Sequence, residues 1–153
     1  MSAVAARLAE LGLELPAVAK PVAAYLPAVV TGNLVYTSGQ VPFADGVLLA
    51  TGKVGGAVSP EEAAQLTRQC ALNALAAAGE AIGSLDRVTR VVKVVVFVNS
   101  APGFTGQPGV ANGGSEFLGE LFGEAGRHAR SAVGVAELPL DAPVELELIL
   151  EFA

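Results

Sequence analysis

The sequence predicts an α+β fold of order ββαβαββ: a mixed sheet with two helices packed on one face, and an extra helix at the N-terminus. Three stretches carry that expectation. Residues 60–82 hold a dense set of helix signals, "RVTRVVKVVVFVNS" is nearly continuous in valine, and the closing "VELELILEF" alternates apolar residues with glutamate. Helical and strand periods interleaved along one chain are what helices laid on a sheet require.

The opening "MSAVAARLAELGLEL" sets Arg7, Glu10 and Glu14 among apolar positions and reads as a short amphipathic helix. It forms a helical extension over residues 1–17 of one domain spanning 1–153. Three prolines in "LPAVAKPVAAYLPAVV" disfavour helix and predict an extended arm leading into the sheet. Thr31-Gly32-Asn33 then separates two apolar runs, so Ala28 to Val30 and Leu34 to Ser38 form a hairpin; the Asp45-Gly46 turn introduces another short extended piece.

Ser59 as N-cap, Pro60 at the first helical position, Glu61 and Glu62 in the first turn and Gly83 at the stop delimit a helix from about residue 60 to 82. Its Ala63, Leu66, Cys70, Ala74 and Ala77 share one face, which makes Cys70 a small core residue rather than a nucleophile. The valine-rich stretch has β-branched residues on both parities and predicts a central strand covered on both faces. After the loop "SAPGFTGQPG", "VANGGSEFLGELFGEAG" predicts a second helix, weakened by glycines, with Phe117, Leu118, Leu121 and Phe122 on its apolar side. Gly119 and Gly123 have the spacing of close helix packing. The last strands, "ARSAVGVAEL" and "VELELILEF", are joined by "PLDAP". In the final one Val144, Leu146, Leu148, Leu150 and Phe152 share a face, and Glu145, Glu147, Ile149 and Glu151 share the other, so one face meets helices and the other does not.

At 52% hydrophobic and 16% charged, with a mean hydropathy of +0.55 and no tryptophan, the 153-residue chain is unusually apolar, and part of its surface is expected to meet another subunit. Charges, prolines and glycines break every apolar run before the roughly 18 residues a membrane helix needs, so a soluble protein is expected, with no membrane partner. A single cysteine and no export signal point to the cytoplasm. Nine Lys and Arg against fifteen Asp and Glu give a net charge of −6, and the basic residues are scattered; nucleic acid is not expected as a principal partner.

One His and one Cys cannot make a Cys/His zinc site, and no nucleophile elbow, P-loop or dinucleotide fingerprint occurs in its proper context, "GFTGQPG" included. The informative stretch is "HARSAVGVAELPL", residues 128–140, in which Arg130 shares its parity with Ala132, Gly134 and Ala136, all small. Two explanations stand open. Either another chain packs closely on that face and Arg130 pairs with a carboxylate, or the small residues floor a shallow pocket with Arg130 at its charged end. In the second, the planar guanidinium holds a ligand carboxylate in bidentate fashion.

"YLPAVVTGNLVYTSGQVP", "SPEEAAQLTRQCALNAL", the valine-rich strand and "HARSAVGVAELPLDAPVELEL" together resemble the RidA (YjgF-like) family of reactive imine and enamine deaminases, over about residues 18–153. The chain resembles in particular the branch labelled endoribonuclease, with its longer N-terminus and Gly-rich insert. The resemblance implies a chorismate-mutase-like fold and a homotrimer whose clefts draw residues from two chains. It implies that Arg130 binds a substrate carboxylate, that Glu145 positions the attacking water, and that Tyr25, Gly39 and Asn112 line the pocket. Ala132 stands where many members have a cysteine whose main chain contacts the ligand. His128 occupies a position commonly not histidine in relatives and is assigned a surface or loop-anchoring role. The implied reaction is hydrolysis of a 2-imino or 2-enamino acid to a 2-keto acid and ammonia, which an arginine, a hydrogen-bonded glutamate and main-chain groups can promote without metal or cofactor. The alternative is a non-catalytic trimer that binds small carboxylates or other metabolites in the same clefts. A third reading, endoribonuclease, is set against the acidic chain and the lack of an evident general acid/base pair.

Overall fold

The computed structural model describes residues 2–153; Met1, the first residue of the expected extension, lies outside them. The fold is α+β. A five-stranded mixed sheet is built from β1 (Ala28–Thr31), β2 (Leu34–Thr37), β5 (Val88–Asn99), β6 (Ala129–Val135) and β7 (Val144–Phe152), in the order β1-β2-β7-β5-β6. Only β5 and β6 run parallel. β3 (Phe43–Ala44) and β4 (Val47–Leu48) make a separate small hairpin, with Asp45 and Gly46 both at positive φ as a two-residue turn of this hand requires.

The first helix, α1 (Ala3–Glu10), is shorter than the expected 1–17. Ser2 caps it by accepting from the Ala5 N–H at 3.1 Å, and Gly12, at φ +71, follows its end; the segment beyond, with its three prolines, forms neither helix nor strand before β1 and bends at residues 22–24. Leu8 is buried, Arg7 Nε donates to the Glu120 carbonyl at 3.0 Å, and Val4 N–H donates to Asp86 Oδ1 at 2.9 Å. These contacts dock α1 beside the helical layer.

α2 (Pro60–Ile82) has the expected bounds, since its signals are local: Ser59 Oγ accepts from the Glu62 N–H at 3.1 Å and Gly83 takes φ +88. All five residues of its predicted face are buried. Cys70 packs with its Sγ 3.9 Å from the Val144 carbonyl, and burial pushes its thiol pKa well up, away from the nucleophilic thiolate. α3 (Gln107–Phe122) begins earlier than its apolar pattern suggests. The glycines that pack it are not Gly119 and Gly123, which have open space where a Cβ would go, but Gly113 and Gly114. A Cβ on Gly113 would overlap the Ala64 carbonyl, and one on Gly114 would lie 3.0 Å from Leu146 Cδ1, so α3 sinks against both α2 and the sheet.

The core lies between sheet and helices. Val94, Val96 and Val98 of β5 and Val144, Leu146, Leu148 and Leu150 of β7 are buried under α2 and α3. β7, not β5, is the middle strand. The other parity of β5, with Lys93, Val95 and Phe97, is only half-buried, so the expected covering of both faces is corrected: none of the described helices lies on that side. Val29, Tyr36 and Val133 are 51%, 42% and 44% exposed, leaving open a sheet face on which apolar residues alternate with Lys93, Glu145 and Glu147. Among the described residues no helix is long and apolar enough to cross a membrane.

Candidate functional site

Arg130 enters β6 opposite Val94, whose side chain is in the core, so it lies on the helical side of the sheet and at the sheet's edge. There α3 supplies its partners. Arg130 Nη1 donates to Asn112 Oδ1 at 2.8 Å and to Ser115 Oγ at 3.1 Å. Among the described residues no carboxylate lies within ion-pair distance of this guanidinium, and its Nε and Nη2 make no protein hydrogen bond. Ser115 Oγ is also 2.9 Å from His128 Nε2, and His128 Nδ1 is 2.6 Å from the Gly126 carbonyl. His128 is thus anchored to its loop, as expected, and to α3 as well.

The small residues beside Arg130 do not leave the space expected of them. Ala132 packs against the core, and a Cβ on Gly134 would lie 2.8 Å from Gln107 Nε2 and 3.0 Å from Ser100 Oγ. The start of α3 fills that ground, with Gln107 Nε2 donating to the Phe104 carbonyl at 2.8 Å and to Ser100 Oγ at 3.2 Å. Neither sequence-derived explanation is met within the protomer: Arg130 pairs with neutral acceptors, and the small residues admit a helix.

Glu145 forms a second group. The pairing of β2 with β7 runs through Tyr36 and Ile149, then resumes at Gln40 and Leu146, so four steps on one strand match three on the other. This is a one-residue bulge, and the Thr37 hydroxyl fills the gap by accepting from the Leu148 N–H at 2.9 Å. The bulge sets Gly39 directly on Glu145: a Cβ there would overlap the carboxylate oxygen and lie 2.8 Å from Cδ. Any larger residue there would push the Glu145 side chain from this position, which accounts for the third residue of "TSGQVP". The Glu145 carboxylate makes no hydrogen bond to the described residues, contrary to the hydrogen-bonded glutamate the resemblance implies. Burial first, and the Glu147 charge second, raise its pKa from the ordinary 4.5.

The two groups do not meet in one chain. Glu145 is paired to Phe97 and, through it, aligned with Val133, on the open face of the sheet. Arg130 is three residues and two strands away, roughly 14 Å from strand spacing alone, and on the opposite face. Tyr25, 56% exposed, stands just ahead of β1 at the Gly39 end of the sheet, where Ser38 Oγ donates to the Leu26 carbonyl at 2.6 Å, and its phenol bonds to neither group.

Residues 5–152 match the family described as "YjgF/chorismate mutase-like, putative endoribonuclease". The chain belongs to this family. Protein TCP17 of Trypanosoma cruzi is 47% identical over 149 residues, covering 97% of this chain and 93% of that protein. The 2-iminobutanoate/2-iminopropanoate deaminase of Dermatophagoides farinae is 35% identical over 135 residues, covering 88% and 91%. Among solved structures, the protein Atu1372 from Agrobacterium tumefaciens superposes with a TM-score of 0.91 at 42% identity, covering 99% of this chain and 93% of that one. That superposition spans nearly the whole of this chain.

Sequence reasoning in family terms missed Ser115 and left His128 outside the site. Both carried a signal. Ser115 lies one helical turn after Asn112, and His128 lies two residues before Arg130, just ahead of β6, so the helix face and the entry to the strand bring all four together. The raised pKa of Glu145 gives a first expected result. A carboxyl that binds its proton more tightly folded than unfolded favours folding at low pH, and that contribution is lost as pH rises above 4.5 through the folded value. Glu145→Gln should therefore raise the melting temperature relative to wild type at pH 8, and by less at pH 4, where the wild-type carboxyl is protonated; thermal melts at the two pH values check it.

Proposed function

We propose that the chain hydrolyses reactive 2-imino and 2-enamino acids to 2-keto acids and ammonia, in clefts between the subunits of a homotrimer. The observation that carries this reading is Arg130, a guanidinium held by two neutral acceptors on one nitrogen with its remaining donors open. Such a group is an anion site waiting for a carboxylate. The relative named as a 2-iminobutanoate/2-iminopropanoate deaminase supports the chemistry. The separation of the two groups supports the cleft: in this reading the open sheet face of one protomer, with Gly39 and Glu145, meets the Arg130 edge of the next.

The imine carbon is already electrophilic, so the protein's work is positioning and proton transfer. Arg130 holds the C1 carboxylate. With the substrate as its iminium, Glu145 takes a proton from water as the water oxygen adds to C2, giving a neutral carbinolamine. Glu145 then delivers that proton to nitrogen, and as the C2–N bond breaks and ammonia leaves it takes the hydroxyl proton, so that the C2 carbonyl forms; the proton passes to solvent and the carboxylate is restored. One water is consumed and no electrons change hands. A carboxyl whose proton affinity is raised by burial suits this two-way role.

The test generates 2-aminoacrylate or another imino acid in situ with an amino-acid-processing enzyme, in the presence of semicarbazide. The protein should divert the imine to keto acid and lower the semicarbazone formed. No effect across several side chains overturns the reading, and light scattering that finds a monomer removes the cleft. Ala132 favours one second reading, a carboxylate-binding trimer without turnover, in which ligands bind but semicarbazone formation is unchanged. The endoribonuclease label has less support, because both ring nitrogens of the only histidine are already engaged.

A further inference from the structure

The hydrogen bonds around Arg130 run in only one direction when the imidazole is neutral. The Gly126 carbonyl can only accept, so His128 Nδ1 carries the ring proton and Nε2 is a bare acceptor. Ser115 must then donate its hydroxyl proton to Nε2, which turns the oxygen's lone pairs toward Arg130 Nη1 at 3.1 Å. The anchor is rigid. Gly126 is buried and packs so closely that a Cβ on it would overlap the Leu118 carbonyl of α3, the helix that carries Ser115 and Asn112. The chain of contacts therefore closes on itself, from α3 through Gly126, His128 and Ser115 back to the guanidinium.

Both protein contacts of Arg130 fall on Nη1. The Nε and Nη2 donors remain as a parallel pair, the edge of the fork that matches a carboxylate. Arginine carries a large rotamer entropy, and fixing Nη1 in advance removes much of that cost at the moment of binding. We infer that Ser115 and His128 are positioning residues for Arg130, presenting its free edge to the carboxylate of a 2-imino or 2-keto acid. The inference rests on the proposed function for its substrate class and extends it to two residues that need not touch the substrate.

The experiment measures two quantities in parallel: the Kd of 2-oxobutanoate by calorimetry, and kcat and KM for imino acids generated in situ. Ser115→Ala and His128→Phe each break the chain of bonds. Each should raise Kd and KM roughly tenfold, the worth of a charge-assisted hydrogen bond, with kcat little changed. Because the two residues act in series, the double variant should be no worse than either single one. Ser115→Thr keeps the hydroxyl, and His128→Gln offers an amide oxygen at about the reach of Nε2, so both should recover most of the affinity. Losses that add, an unchanged Kd in Ser115→Ala, or no recovery in the two conservative variants at unaltered melting temperature each overturn the inference. So does a wild type that binds no 2-oxobutanoate. A wild type that binds it Ser115-dependently but turns over no imino acid overturns the proposed function and leaves the positioning role standing. Turnover indifferent to Ser115 and His128 does the reverse.

Discussion

Arg130→Ala should lower kcat/KM at least about a hundredfold for every imino acid the protein turns over, while leaving the fold in place. Losing a charged, bidentate contact to a carboxylate costs roughly 3 kcal/mol or more, and each 1.4 kcal/mol is a factor of ten. The fold should tolerate the change because Arg130 is half-buried at the sheet edge and has, among the described residues, no carboxylate partner to strand. Its acceptors Asn112 and Ser115 turn to water instead. Arg130→Lys should recover little, since an ammonium is a point charge that cannot bond two acceptors on α3 and still offer a parallel pair of donors. Steady-state kinetics with a melting curve for each variant checks this. Turnover that survives Arg130→Ala with a normal melt would place the chemistry elsewhere and remove the carboxylate-holding step. A variant that melts far below wild type would show instead that the arginine's bonds to α3 are chiefly structural.

The parts of this fold legible in the sequence are those whose causes are local. α2 is bounded by its own cap and stop, Ser59 and Gly83, and β7 shows its two faces in strict alternation because one meets valines and leucines and the other does not. What depends on partners distant in sequence was hidden. The rank of β5 in the sheet is set by which strands pair with it, and its register slips twice against β7, between Val88 and Arg90 and between Val91 and Lys93. The bulge at Ser38 and Gly39 changes the count between β2 and β7 by one, and no local pattern announces it. For the site, each residue's parity was readable but the relation between strands was not. Arg130 and Glu145 could be assigned to faces one by one, yet only the pairing of β6 to β5 and β5 to β7 shows that those faces are opposite. The small run after Arg130 has the same lesson: Gly134 looked like room for a ligand because Gln107, 27 positions earlier, was invisible to it.

Two glycines of α3 should respond to the same substitution with opposite signs. Gly113→Ala forces a methyl into the Ala64 carbonyl, and the obstacle is backbone inside a helix, which cannot swing aside as a side chain would. Over-packing of this kind should cost about 3 kcal/mol, or roughly 10 °C in the melt for a domain of this size. The damage should also reach the site. Asn112 and Ser115 flank Gly113 on a helix whose distance from α2 is fixed by that contact, so pushing α3 outward draws both acceptors away from Arg130 together. 2-Oxobutanoate binding should weaken in the surviving folded fraction. Gly119→Ala places the same methyl six residues on, at an exposed helical position with open space around it. There alanine only restricts the unfolded chain, and stability should rise by about 0.5–1 kcal/mol without any change in binding. Equal responses at the two positions would mean that α3 can slide on α2, and a helix free to slide could not hold two acceptors on one nitrogen of an arginine in the neighbouring strand.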